Sequence, residues 1–359
     1  SSKKSAISLS SPSSPPPPAP KPRGWRRAWV LGVAVTVLLL WWTLRDVSFA
    51  VVLGHIRAAN PLLLLATVVT ATLTFPLRAV RWQLILRDAK GGRFPLVPLW
   101  HAVAVGFMAN NLLPARAGEV ARAYIAGRQL PVRFTTALAS VAVERMLDGL
   151  VMVGLMAIAI AAPAFPSQAT VFGAPLSRVA TGGALLFGAA LLVALVVVHR
   201  PGPSLTLLDR VARRVLSQRL ALRVGRVGEG LVAGLAVLKN PGRFGAVVAW
   251  SLVLWLVNAA AFALCFKAFA LPVPMSGALL LQGIIGFGVA VPSSPGFFGV
   301  FEAATRVTLG IYGIDATRAV SYAVAYHLTT FLPITLLGLW SLSVTHVRIG
   351  DLRGTGAEE

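Results

Sequence analysis

The chain has 359 residues, is 56% hydrophobic and only 13% charged, with a mean hydropathy of +0.76, whereas a soluble domain carries about a quarter charged residues; a soluble globular protein is excluded. The formal charge of +21, in so apolar a chain, reads as Lys and Arg collected in cytoplasmic loops rather than as a nucleic-acid footprint. Cys265 is the single cysteine, which excludes an intrachain disulfide or a CxxC metal site and leaves a small buried hydrophobe.

Residues 1–27 form a Ser- and Pro-rich tail with too little apolar surface to fold. Apolar runs follow at 29–44, 61–86, 96–113, 136–162, 179–198, 244–270, 276–291 and 320–344, most of them near the length of about 20 residues that a bilayer crossing needs. The first run is too far from the start, and too poor in small residues at its end, to be a cleaved signal peptide. Between the fifth and sixth runs lies a basic insertion, 199–243, with Arg200, Arg210, Arg213, Arg214, Arg219, Arg223 and Arg226 spaced among Leu and Val. That spacing predicts a basic amphipathic helix at an anionic membrane surface.

Orientation follows from the basic residues. Lys3, Lys4, Lys21, Arg23, Arg26 and Arg27 put the N-terminus in the cytoplasm, and the run 61–86 returns Arg78, Arg81, Arg87, Lys90 and Arg93 to that side. The next loop is basic too, with Arg116, Arg122, Arg128 and Arg133. Both loops are cytoplasmic only if 96–113 dips into the membrane and returns, as a re-entrant hairpin over 96–124 broken at Asn110, Asn111 and Pro114. A second hairpin, 276–312, re-enters from outside. The expected fold is an all-α polytopic integral membrane protein with six full transmembrane helices, two re-entrant helical hairpins and both termini inside. At a constant offset Pro114 matches Pro295, Gly118 matches Gly299, Ser140 matches Ser321 and Leu147 matches Leu328. This predicts two inverted-topology repeats, 28–162 and 163–346, before a polar tail at 347–359, an architecture that transporters use.

Candidate functional residues sit at the breaks and inside the runs. A proline after an apolar run, followed by good helix formers, leaves free N–H groups at a new helix start. Such an end attracts anions, and Arg116 and Arg122 add phosphate-matching donors. The second break, from Val291 to Glu302, offers Ser293, Ser294 and a carboxylate. Within the fourth run Glu144 and Asp148 share a helix face, with Arg145 near enough to neutralise one of them. Charges at membrane depth are expensive unless paired or facing a cavity. Tyr326 and His327 occupy the related positions in the last run, where His327 is a candidate proton carrier. Arg78 and Arg81, beside Trp82, are candidates to hold a phosphate or to anchor at the interface.

The pattern Gly106-Phe107 with NNLLPARAGEVARAY (110–124), S...ERMLDGL (140–150), PSSPGFFGVFEAA (292–304) and Tyr326-His327 resembles the family of lysylphosphatidylglycerol synthase transmembrane regions. The resemblance covers most of the chain after about residue 28. It implies a flippase-like, lipid-binding domain of the bacterial cytoplasmic membrane, whose relatives resemble partners of hopanoid and polyprenyl-phosphate-sugar pathways. No aminoacyl-transferase domain follows the last run, so the likeness is to a stand-alone form that is not an enzyme. On matching residues the motif points to Asn111, Pro114, Arg116, Gly118, Glu119, Arg122, Glu144, Arg145, Asp148, Pro292, Ser294, Pro295, Gly296, Gly299 and Glu302.

The expected activity is that of a lipid flippase moving an anionic phospholipid or a polyprenyl-phosphate-linked glycolipid, with no cofactor, metal or nucleic acid. Its partners are membrane lipids and a lipid-biosynthesis enzyme. Substrate contacts are expected from Arg78, Arg81, Asn110, Asn111, Arg116, Glu119, Arg122, Ser293, Ser294 and Tyr326. Gating or coupling is expected from Glu144, Arg145, Asp148, Glu302 and His327, and the hairpin breaks from Pro114, Gly118, Pro292, Pro295, Gly296 and Gly299. The alternatives are a membrane-embedded lipid-modifying transferase and a non-transporting partner or scramblase.

Overall fold

The computed structural model describes residues 23–347, apart from 89, 114–116, 167–169, 172–173, 235–239, 290–293 and scattered positions between 176 and 198. The helices are α1 (Arg23–Leu44), α2 (Phe49–Ala58), α3 (Pro61–Ile85), α4 (Leu96–Leu112), α5 (Gly118–Gln129), α6 (Phe134–Ala161), α7 (Pro201–Val215), α8 (Gln218–Gly234), α9 (Pro241–Ala268), α10 (Met275–Val289), α11 (Val300–Ile311) and α12 (Ala316–Val344). A two-residue strand pair, Thr170–Val171 against Ala174–Pro175, is the remaining ladder among the described residues. Helices α3, α9 and α12 are each long and apolar enough to cross a membrane, and α1 with α2, bent by 80° between them, make a fourth candidate. Helix α6 is as long as α9 but carries Glu144, Arg145 and Asp148 near its middle. This is a helical membrane protein.

Local chemistry sets the helix starts. The side chain of Asn60 accepts from the N–H groups of Leu62 and Leu63, with Pro61 at the first helical position of α3. Asn240 accepts from Arg243 in the same way, with Pro241 opening α9. Both starts combine an N-cap acceptor with the ring whose missing N–H would have been an orphan. Asp315 caps α12 through the N–H of Arg318. The order of a long, a short, a shorter and a long helix, α3 to α6, recurs in α9 to α12.

Helices α3 and α9 pack against each other, as do α4 and α12. The helices α4 and α5 fold back as an antiparallel pair. Asn110 Oδ1 accepts from the N–H of Gly118 at 2.9 Å, and Gly106 lies opposite Gly118 and Arg122. At Gly118 the backbones approach so closely that a Cβ would strike the Gly106 carbonyl and the Asn110 amide. Helices α10 and α11 pair in the same antiparallel sense, with Gly288 beside Val300 and Gly277 beside Tyr312. Two apolar clusters fill the interior, one around Phe75, Trp82 and Met108 and the other around Phe262, Phe266 and Tyr322.

The helices α3, α4, α6, α9, α10 and α12 begin and end within a few residues of the predicted runs. Three regions differ from or escape the expectation. Helix α2 was not predicted; the Ser48 backbone carbonyl opens it by accepting from the N–H of Val52, and it is a short helix between two long runs. The insertion, predicted as one amphipathic helix, is two, because Leu216 is extended and the Ser217 carbonyl starts a new helix at the N–H of Ala221. Helix α8 packs along α6, so the insertion is not solely a surface element. Most of the run 179–198 lies outside the described residues, as do both tails beyond 23–347.

Gly118→Ala is expected to lower stability by about 1–3 kcal/mol through overpacking. Gly54→Ala in the interior of α2, where a Cβ meets nothing within 4 Å, is expected to raise it by roughly 0.5–1 kcal/mol. Thermal unfolding of the two variants in mild detergent checks both signs.

Candidate functional site

Three turns of α6 present Ser140, Glu144 and Asp148 on one face, because residues four apart lie one above the other. Arg78, Arg81 and Trp82 do the same on α3, and Arg122 comes from α5. Glu144 Oε1 receives three guanidinium groups: Arg122 Nη1 at 2.7 Å, Arg145 Nη2 at 2.7 Å and Arg81 Nη2 at 3.0 Å. Its other oxygen accepts from Arg122 Nη2 at 2.8 Å, completing a bidentate pair. Asp148 accepts from both ends of the Arg81 guanidinium, from Arg145 and from the indole N–H of Trp255 at 2.8 Å. Arg81 also donates to Ser251 Oγ at 3.0 Å, and Trp82 donates to Ser140 at 2.9 Å. Arg122 lies over the Trp82 ring, 3.8 Å from its centroid. Arg81 and Glu144 are fully buried.

Arg78 is different. It is 5% exposed, and it lies between the rings of Phe107, at 4.9 Å, and Trp255, at 5.2 Å. Its Nη1 as well as its Nε has no hydrogen-bond partner, whereas among the buried atoms of Arg81, Arg122 and Arg145 it is Nε alone that is unpaired, and no carboxylate touches Arg78 among the described residues. Cation–π attraction offsets part of the desolvation of such a group without occupying its N–H donors.

Arg78 lines a cavity of about 750 Å³ between the two halves of the chain. Arg78, Arg122, Arg145, Asp148, Glu119 and Asn110 line one part of it. The walls otherwise are mainly apolar, as at Phe75, Leu138, Met152, Ile285 and Val289. Around this polar end four guanidinium groups face three carboxylates, Glu119, Glu144 and Asp148, so the described residues leave it cationic. A cationic pole in an apolar cavity suits an anionic group carried on a hydrocarbon.

The second break is built from backbone. Gly296, Phe297 and Gly299 have φ of 72°, 58° and 83°, and at Gly299 a Cβ would also meet the carbonyl oxygen of Thr36 at 2.9 Å. Glu302 Oε2 accepts from the N–H of Gly299 at 2.6 Å, and its Oε1 lies 2.6 Å from His327 Nδ1. His327 Nε2 is 2.9 Å from the Gly296 carbonyl, which can only accept. Nε2 is therefore the donor to that carbonyl, and the pair ties α12 to the second break. Thr36 of α1 accepts from Ser294 N–H and donates to the Phe298 carbonyl.

The sequence candidates therefore divide. Arg78, Asn110, Glu119, Arg122, Arg145, Asp148 and Tyr326 line the cavity, with Gly118, while Arg81 and Glu144 stand directly behind that wall. Asn111 donates to Thr335 Oγ1 at 2.9 Å, tying α4 to α12. Ser294, Pro295, Gly296, Gly299, Glu302 and His327 form the second break and are not in the cavity wall. Pro114, Arg116, Pro292 and Ser293 fall outside the described residues. Sequence reasoning missed Ser251, Trp255, Asn258, Gln282 and Thr36. Asn258 and Gln282 carry a usable signal, an amide inside an otherwise apolar run; Thr36 and Ser251 carry none.

A family model for the lysylphosphatidylglycerol synthase TM region matches residues 29–338. The chain belongs to that family. It is also similar to the glycosyltransferase AglD of Haloferax volcanii, 27% identical over 333 residues, covering 86% of this chain and 53% of that protein. The chain thus spans about half the length of this archaeal relative. The match encloses every helix from α2 to α11 and all the residues of the charge cluster, and the residues lining the cavity fall within it.

Removing one partner of a buried pair leaves a charge uncompensated and costs about 3–5 kcal/mol. Glu144→Gln is therefore expected to lower the thermal midpoint sharply. Arg78→Gln, which removes a cation that has no ionic partner in contact, is expected to leave it nearly unchanged. Side-by-side melting of the two purified variants tests this division between framework and free charge.

Proposed function

We propose that this protein moves a phosphate-bearing lipid across the cytoplasmic membrane through the cavity between its halves. The observation that carries the reading is Arg78, a buried guanidinium with unused donors at the cationic end of an otherwise apolar cavity. Arg78, Arg145 and Asn110 are the proposed phosphate contacts; Arg81, Arg122, Glu144 and Asp148 are the frame that holds them. Glu119, Asn111, Tyr326 and the two serines at the second break are proposed to complete the path.

The topology proposed with it has six crossings, two re-entrant hairpins and both termini inside. Support comes from the recurring helix order, the matching Asn-Pro starts of α3 and α9, and the two antiparallel short-helix pairs. Opposite orientation of two such units would let the cavity face each side in turn. The Glu302–His327 contact is proposed as the coupling element, since it joins α12 to the second break through Gly296 and Gly299. A lipid-biosynthesis enzyme of a bacterial cell is the proposed partner.

The name of the archaeal relative favours one competing reading, a membrane-embedded transferase. Reconstituted vesicles separate the two. Wild-type protein is expected to carry a fluorescent phosphatidylglycerol to the opposite leaflet with its mass unchanged, and Arg78→Gln to reduce the rate at least tenfold. An unaltered rate in Arg78→Gln, or a change in lipid mass, would overturn the proposal.

A further inference from the structure

Beyond the cationic end, the cavity wall carries a second polar feature that no ion pair explains. Asn258 of α9 and Gln282 of α10 both line it. Asn258 Nδ2 donates to Gln282 Oε1 at 3.3 Å, and Gln282 Nε2 has no partner although the residue is only 2% exposed. Rotating either amide exchanges which atom is left over but not that atoms are left over. A buried, unpaired amide is uncommon because it forfeits its hydration without replacement. Two neighbouring amides offer both donors and acceptors, the combination a hydroxyl group needs.

Their position is ordered relative to Arg78. Trp255, Asn258 and Phe262 recur at i, i+3 and i+7 on α9, so they share one helix face. Arg78 rests on Trp255, Asn258 follows about 4.5 Å along the axis and Phe262 about 10 Å along it, at ~1.5 Å rise per residue. Phe262 stacks on Tyr326 with ring centroids 4.5 Å apart, and both rings line the cavity. The wall thus runs from a cation, through a neutral amide pair, to aromatic faces.

Resting on the reading of the cavity as a lipid-phosphate site, we infer that its substrate carries a hydroxyl-bearing group, a sugar or polyol, joined to the lipid through the phosphate, with Asn258 and Gln282 as the residues that recognise it. The phosphate occupies Arg78, and the first hydroxylated unit beyond it meets the amides. A site built to hydrogen-bond hydroxyls discriminates strongly against an analogue without them, because its own buried groups are then left unpaired. A bare phosphate lipid would satisfy Arg78 and strand Gln282. Two lipid types share this chemistry, a phosphatidyl polyol and a polyprenyl-phosphate sugar, and they differ in the apolar part alone.

Purified full-length protein in mild detergent is titrated with four probes: phosphatidate, phosphatidylglycerol, a polyprenyl monophosphate and the same polyprenyl phosphate bearing one glucose. Binding is read by native mass spectrometry and by the thermal shift. In wild type, at least one hydroxylated probe is expected to bind at least tenfold more tightly than its bare counterpart, and which pair shows the preference identifies the source. Gln282→Met and Asn258→Leu are each expected to reduce that ratio to within about twofold, whereas Arg78→Gln weakens both members of the pair together. Equal binding of bare and hydroxylated lipids by wild type, or a ratio that survives both amide substitutions, would overturn this inference while leaving lipid-phosphate binding standing. Failure of every phosphate lipid to bind would remove the underlying reading and this inference with it.

Discussion

Two carboxylates inside an apolar helix would be prohibitively costly alone, and the first half of the protein is arranged around neutralising them. Glu144 and Asp148 draw Arg81 from α3, Arg122 from α5 and Arg145 from α6 onto one site, with Trp255 of α9 closing it. In a low-dielectric interior such a network holds only when each group has its partners. The helices that supply them are therefore fixed relative to one another. The α4–α5 pair, too short to span a membrane by itself, is held through Arg122 and, one turn before it, the Gly106–Gly118 approach.

Against that framework, whose buried guanidinium atoms leave only Nε unpaired, Arg78 stands out as a cation with a spare Nη1 as well. Its neighbours are aromatic faces, which attract a guanidinium without consuming its N–H groups. The arrangement separates two tasks that the same residue type performs a few ångströms apart: Arg81 holds the fold together, and Arg78 presents charge to the cavity. Among the described residues the second half supplies no ionic counterpart there. It contributes amides and rings at the wall, and keeps its own acid, Glu302, with His327 at the second break. The cavity is polarised from charged to neutral because the two halves furnish its wall with different chemistry.

Membership of the lysylphosphatidylglycerol synthase TM-region family gives this polarised cavity its context. The archaeal relative, matched over about half its length, shows that a related membrane region occurs in a protein named for a transferase.

Composition and apolar run length determined that the chain is a helical membrane protein, and the runs located six of its helices within a few residues, because burial in hydrocarbon leaves little freedom in where a helix can begin or end. The motifs NNLLPARAGE and ERMLDG marked the charged region because ionisable residues are rarely tolerated at membrane depth without a purpose. What the sequence could not state was the partner of each charge. Arg78 and Arg81 are three residues apart and chemically identical, yet one is consumed by Asp148 and the other is free. That difference is set by how α6 and α9 pack against α3, a long-range arrangement in which a rotation of one helix face exchanges a carboxylate for an aromatic ring. The same holds for Asn258 and Gln282, an amide pair brought together from separate helices, and for Thr36, whose hydroxyl reaches a break more than two hundred residues away. Hydrophobic patterning specifies that helices form and insert; the identity of facing side chains is decided where those helices meet.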